Sequence, residues 1–112
     1  MKILTTPISK SELIKSEIVF DGPMIKAVAD VGQGKIAIDA NMHADLEQLF
    51  LSNGSKQDDL WGINLYLDDP DEDFIEFDSM INIRPRQGNR SRTVEDPAIK
   101  SQIRNIVAKW IK

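Results

Sequence analysis

Four segments of the chain alternate apolar and polar residues, and this alternation constrains the fold more than any other feature. The segments span residues 24–31, 35–40, 60–67 and 74–85. Successive side chains of a strand point to opposite faces, so each segment predicts a β-strand with one apolar face. Strands of a fully covered parallel sheet would instead read as continuous apolar runs. The sequence therefore predicts a four-stranded antiparallel sheet with one polar face.

The turns between these segments predict two hairpins. Residues 32–34 (Gly-Gln-Gly) separate the first pair, and we expect Val31 to face Ile36 in that hairpin. In the second pair, Leu67 is expected to face Ile75, which keeps the apolar sides together. On the opposite side this register predicts one continuous polar row. Its members are Asn64, Tyr66, Glu76, Asp78, Asn82 and Arg84.

Three helices are predicted around the sheet. Residues 9–12 (Ser-Lys-Ser-Glu) form a capping box that begins the first helix, and Asp21-Gly22 ends it. Apolar residues at helical spacing predict a second helix over 42–50, and Asp96-Pro97 begins a third that continues to the end of the sequence. The predicted class is α+β with the order α-β-β-α-β-β-α. We expect the helices to lie mainly on the apolar face of the sheet.

Size and composition limit the classes of protein to consider. A chain of 112 residues predicts a single domain over 1–112. The chain has no cysteine, which excludes disulfides and thiolate chemistry. One histidine cannot supply a paired-histidine metal site, so we expect no metal and no cofactor. No apolar stretch reaches the ~20 residues of a membrane span, and a cytoplasmic location without membrane attachment is the expectation.

Several stretches of the sequence carry a resemblance to a known family. They are HADLEQLF, GSKQDDLWGINLY, EFDSMINIRPRQGNRS and VEDPAI. Together they resemble a family of short prokaryotic proteins classed only as a domain of unknown function. The resemblance implies a self-contained domain, and it implies no activity or catalytic residue.

Four of the five arginines lie within nine residues, at positions 84, 86, 90 and 92. In a chain of net charge −4, this clustering predicts an anion-binding loop. Guanidinium groups bind phosphate or carboxylate in a bidentate manner, and Gly88-Asn89 favours a backbone turn whose amides can assist. The alternative is internal pairing, because nine acidic residues lie between positions 58 and 78. Exposed pairs of that kind contribute only about 0–1 kcal/mol.

The polar row of the sheet is a second candidate site. Strands hold side chains rigidly, so a carboxylate beside an amide and an arginine can orient a polar substrate. Asp78 or Glu76 would then act as the general base, and His43 is a further catalytic candidate because imidazole titrates near neutral pH. The alternative is an ordinary solvated sheet face.

Three functions follow from these patterns. The leading hypothesis is a small non-enzymatic binding or interaction domain that recognises an anionic small molecule or an acidic partner through residues 84–92. The alternatives are a small enzyme with Asp78 as acid/base and a homo-oligomeric structural protein. Nucleic acid has little support, because aromatic residues do not interleave with the arginines. The predicted ligand-binding residues are Arg84, Arg86, Asn89, Arg90, Arg92, Asn64 and Asn82.

Overall fold

The sheet contains five strands in the part of the chain that the structure describes. The structure is a computed structural model that describes residues 1–16, 23–69 and 74–112. The strands are β1 (Lys2–Ile3), β2 (Met24–Asp30), β3 (Lys35–Ile38), β4 (Leu60–Tyr66) and β5 (Ile75–Glu76). All neighbouring strands are antiparallel, and their order in the sheet is β1-β3-β2-β4-β5.

Three helices complete the described fold: α1 (Lys10–Lys15), α2 (His43–Ser52) and α3 (Pro97–Trp110). The hydroxyl of Ser9 accepts from the Glu12 amide at 3.1 Å and caps α1 as predicted. The predicted end of this helix at Asp21-Gly22 lies outside the described residues. No helix within the described ranges is long and apolar enough to cross a membrane.

The α+β class is confirmed, but the four-stranded sheet and the order α-β-β-α-β-β-α are wrong. The observed order is β1-α1-β2-β3-α2-β4-β5-α3. The missed strand, β1, pairs Lys2 with Ile38 and Ile3 with Ala37. Two residues are too few to show an alternating pattern.

Both predicted hairpin registers are shifted by two residues. Ala29, not Val31, pairs with Ile36, and Leu65, not Leu67, pairs with Ile75. A shift by two leaves every side chain on its predicted face, because the strand repeat is two residues. The apolar pattern therefore predicts the face correctly and the partner incorrectly.

The helices cover both faces of the sheet. Leu13 of α1 and Ile103 of α3 belong to the larger apolar cluster, together with Ile63 of β4. Leu46 and Phe50 of α2 pack on the opposite face, in a second cluster that includes Val28, Ala37 and Leu60. The face predicted to be polar is therefore apolar under α2. Lys26 and Asn64 lie near the start of α2, whereas Asp30 lies at the other end of this face, where its carboxylate accepts from the Ser55 hydroxyl.

The segment after β5 does not continue as the predicted strand. Instead it forms two short 3-10 turns, Met80–Asn82 and Pro85–Gln87. Gly88, at φ 78°, ends the second turn in the left-handed conformation that glycine tolerates. This irregular segment brings residues 78–81 and Arg92 towards the start of α2.

Candidate functional site

A cavity of about 180 Å³ lies where α2 begins above the sheet. We call it the polar cavity. Strands β2 and β4 contribute to its wall, and the rest comes from the first turn of α2 and from the segment after β5. The lining residues are Lys26, Met42, His43, Ala44, Asn64, Asp78, Ser79, Met80, Ile81 and Arg92.

His43 is a buried wall of the polar cavity. Its Nε2 lies 2.8 Å from the carbonyl oxygen of Ile63, and a carbonyl only accepts, so Nε2 carries a proton. Burial lowers the pKa of His43, and the nearby Lys26 lowers it further, against the opposing effects of the Ile63 carbonyl, Asp78 and Asn64. The imidazole is therefore neutral at neutral pH, with Nδ1 as an acceptor.

Gly62 of β4 makes room for this wall. A Cβ atom at Gly62 would lie 2.5 Å from Ser79 Oγ and 3.1 Å from His43 Cγ. Both side chains thus pack directly against the backbone of β4 at Gly62. The hydroxyl of Ser79 also accepts from the Ile81 amide at 3.3 Å, which caps the 3-10 turn.

Asn64 is held in one orientation. Its Nδ2 donates to Glu76 Oε1 at 2.9 Å and to the Asp78 carbonyl at 3.3 Å. Both partners are acceptors, so they fix which end of the amide is nitrogen. The other end, Oδ1, is buried without a hydrogen-bond partner among the described residues.

Two cationic side chains reach the polar cavity from distant parts of the sequence. Lys26 comes from β2, and Arg92 comes from the segment before α3. Nε of Arg92 donates to Asp78 Oδ1 at 2.7 Å. The amides of the first turn of α2 add a partial positive charge, and Met42 at the N-cap provides no side-chain hydrogen bond to them. The same turn also carries the exposed carboxylate of Asp45.

Arg84 is engaged within the chain. Its guanidinium donates to the carbonyl of Gln57 at 2.6 Å, to that of Ile81 at 3.1 Å and to that of Leu60. The same group stacks 4.3 Å from the ring of Trp61. Burial lowers the pKa of Arg84, against the effect of neighbouring carboxylates. Arg84 therefore fastens the segment after β5 to the start of β4.

Asn82 and Asn89 form the interior of that segment. Oδ1 of Asn82 accepts from the Gly62 amide at 2.8 Å, and its Nδ2 donates to the Gly62 carbonyl at 3.0 Å. A side chain thus takes the place of a neighbouring strand on the edge of β4. Asn89 Nδ2 donates to the carbonyls of Asn82 and Thr93 at 2.7 Å each, and its Oδ1 accepts from the Glu95 amide at 2.8 Å.

Arg86 and Arg90 are exposed and lie away from the polar cavity. Arg86 lines a second depression, together with Asp58 and Gln87, whose volume of about 410 Å³ is larger than that of the polar cavity. The backbone amide of Arg90 donates to Glu95 at 2.7 Å. The Ser91 hydroxyl and the amides of Arg90 and Ser91 lower the pKa of Glu95. The four clustered arginines therefore face different surroundings.

The structure brings together some of the predicted site residues. The polar cavity is lined by Asp78, His43, Asn64 and Arg92. Glu76 lies behind Asn64 and accepts a hydrogen bond from its Nδ2. No group of three or more histidine, aspartate or glutamate residues in the described ranges could hold a metal ion.

One family model matches residues 2–110 of the chain. Its description is "Protein of unknown function (DUF5674)". The chain belongs to this family. Membership agrees with the resemblance to a domain of unknown function, and it assigns no activity. No match was found among curated proteins or among solved structures.

Several residues of the polar cavity were not predicted from the sequence, notably Lys26, Ser79, Met42 and Met80. Lys26 pairs with Asn64 across β2 and β4. The sequence pattern did not reveal that β2 pairs with β4, because these strands are not consecutive. This pairing places the Lys26 side chain beside the predicted polar row. Nothing in the apolar pattern distinguishes Met42 or Met80 from core residues.

Proposed function

We propose that this domain binds a small molecule with an anionic group in the polar cavity. The observation that carries the proposal is the convergence of three positive features on one cavity. These are Lys26, Arg92 and the uncapped first turn of α2. Charge-assisted hydrogen bonds from lysine, arginine and helix amides are the contacts that bind carboxylate and phosphate in proteins.

The size of the cavity restricts the ligand. A volume of about 180 Å³ is below the roughly 300–1,000 Å³ of pockets that enclose drug-sized ligands. A smaller molecule fits this volume, whereas a folded partner or a nucleic-acid strand would touch only its rim. The proposal is therefore a small-molecule site.

Five of the seven predicted ligand-binding residues have a role in the proposed site, and they fall into two groups. Arg92 and Asn64 line the cavity and would contact the ligand. Arg84, Asn82 and Asn89 hold the wall in place through bonds to backbone groups. In this proposal the arginine-containing segment builds the site, and Arg92 is the arginine that reaches the ligand.

Calorimetric titration with inorganic phosphate and with acetate tests the proposal. We expect saturable binding to the wild-type domain, weakened about tenfold or more by Lys26→Gln and by Arg92→Gln, because a lost charge-assisted contact costs about 1.5–3 kcal/mol. Lys35→Gln is the matched control, since Lys35 is an exposed strand lysine outside the cavity. Equal weakening by all three variants, or no saturable binding, would contradict the proposal.

Acid–base chemistry in the same cavity is a second candidate function. The observation that favours it is the presence of a neutral, buried His43 and an Asp78 carboxylate on one small wall. A neutral imidazole with an unprotonated Nδ1 can accept a proton from a bound molecule. If any ligand of the cavity is converted to product, Asp78→Asn should remove turnover even at saturating ligand concentration. Retained turnover would eliminate Asp78 as the acid/base.

A further inference from the structure

We infer that the molecule bound in the polar cavity is a small zwitterion, with a protonated amine beside its anionic group, as in an α-amino acid. The inference rests on the proposed function and names its ligand class. It comes from two hydrogen-bond acceptors at the cavity, the Asp78 carboxylate and Asn64 Oδ1. A simple anion would leave Asn64 Oδ1 without a partner and would be repelled by the Asp78 carboxylate.

The first acceptor is the carboxylate of Asp78. Arg92 Nε occupies its Oδ1, and no side-chain hydrogen bond to Oδ2 occurs within the described ranges. The carboxylate is partly exposed and lines the cavity. A ligand with only negative charge would face this group directly, at a cost that grows as the cavity excludes water. An ammonium group placed there would instead gain a charge-assisted hydrogen bond.

The second acceptor is Oδ1 of Asn64. Asn64 lines the cavity although the residue is only 8% exposed, and its Oδ1 has no partner in the described part of the chain. Rotation of the amide cannot resolve this, because Glu76 and the Asp78 carbonyl hold Nδ2 in place. An unpaired buried acceptor is unfavourable. Oδ1 itself exposes almost no surface, so a donor on the ligand would reach it only with a small shift of the neighbouring side chains.

The charges around the cavity are balanced. Lys26 and Arg92 are cationic, whereas Asp78 on the wall and Glu76 behind Asn64 are anionic. His43 adds no charge at neutral pH, because burial lowers its pKa. A site with both signs on its walls binds a ligand that carries both signs more tightly than a ligand of one sign, which still binds through Lys26 and Arg92.

The residues at the rim of the cavity indicate that the zwitterion also carries an apolar substituent. Met42 and Met80 line the cavity and are 58% and 65% exposed. Methionine is flexible and polarizable, and it adapts to apolar groups of different shape. A short aliphatic substituent beside the amine would contact these two side chains, within the size limit of the cavity.

Calorimetric titration with a matched series tests the ligand class. The series is L-alanine and L-valine, their amine-free analogues propionate and 3-methylbutanoate, the hydroxy acid L-lactate, and ethylamine. We expect the better amino acid to bind at least about tenfold more tightly than its amine-free analogue, since one charge-assisted contact is worth about 1.5–3 kcal/mol. L-lactate separates a requirement for an ammonium group from a requirement for any donor.

The variant Asp78→Asn tests whether the preference for the amino acid arises in the polar cavity. This variant should lose most of the preference for the amino acid over its amine-free analogue and should bind propionate at least as well as the wild type. Asp58→Asn is the matched control, because Asp58 is an exposed acid of the other depression. Loss of the preference in Asp58→Asn as well would overturn the inference.

The remaining outcomes separate the two proposals. If propionate or L-lactate binds as tightly as the amino acids, and Lys26→Gln weakens that binding, the zwitterion inference fails and the proposed anion site stands. If no compound of the series, phosphate or acetate binds saturably, both fail. These comparisons need only the wild-type domain and Lys26→Gln, so they decide the inference even if Asp78→Asn does not fold.

Discussion

Arg84 and Arg86 lie two positions apart and have different surroundings. We expect Arg84→Met to reduce the free energy of unfolding by about 2–3 kcal/mol, because it removes hydrogen bonds from a charged group to three carbonyls at the start of β4 and in the 3-10 turns. Arg86→Met should change it by no more than about 0.5 kcal/mol, as expected of an exposed position. Urea unfolding measures both. Similar losses for the two variants would contradict the assigned role of Arg84.

His43 predicts a pH dependence of stability at the scale of one residue. Its pKa in the folded chain is lowered from 6.5, so the unfolded chain takes up a proton that the folded chain resists. Stability is therefore full above pH 6.5 and falls as the pH drops through 6.5 towards the lowered value, by at most about 1.4 kcal/mol per pH unit. Urea unfolding between pH 7.5 and 5 measures this slope. His43→Gln should show a smaller fall, and an unchanged slope would mean that His43 is not the group responsible.

At the scale of an element, the segment after β5 is held by side-chain amides in place of a regular ladder. Asn89→Ala removes four hydrogen bonds and leaves three carbonyls and one amide to find other partners. We expect a loss of about 3 kcal/mol or more in the free energy of unfolding. Asn53→Ala is the matched control, because Asn53 is exposed and its side chain makes one bond, to the Leu49 carbonyl at 2.8 Å. A loss near 1 kcal/mol for both would contradict the central role of Asn89.

The apolar pattern predicts which face of the sheet a strand residue occupies, but it does not predict the residue's partner on the neighbouring strand. Alternation predicted the face of Ile36 and Ile75 correctly, yet both partners were displaced by two residues. The pattern also predicted a strand beyond Glu76, where the structure has 3-10 turns. Asn82 occupies the strand edge there through its side chain. A polar side chain that makes the hydrogen bonds of a neighbouring strand produces no periodic pattern in the sequence.

At the scale of the whole molecule, both edge strands, β1 and β5, are two residues long. Such short edges offer few unpaired backbone groups to a second chain. The hypothesis of a homo-oligomer remains a prediction, and sedimentation equilibrium at micromolar concentration tests it. An assembly that covers the polar face should bury Met42 and Met80, the exposed rim of the cavity. A monomer would leave that rim open for a small ligand.

The candidate site was predictable in part because its polar row could be read from the strands. Asn64 and Asp78 were in that row, and His43 stood out as the only histidine. Lys26 was not predicted, since only the pairing of β2 with β4 places it beside Asn64. The position of α2 was also not predicted, because nothing in the apolar pattern places one helix on the opposite face. Long-range packing thus decides which predicted residues share a cavity.

The central claim is that a small anionic group binds between the first turn of α2 and Lys26. The most direct test is titration of the ¹⁵N-labelled domain with inorganic phosphate, followed by NMR chemical shifts of backbone and side-chain amides. We expect saturable shifts at the Ala44 and Asp45 amides and at the side-chain amide of Asn64, and these should be strongly reduced in Lys26→Gln. Shifts confined to residues 85–87 would rule out the polar cavity and place the anion site at Arg86. An absence of saturable shifts would contradict anion binding by the domain.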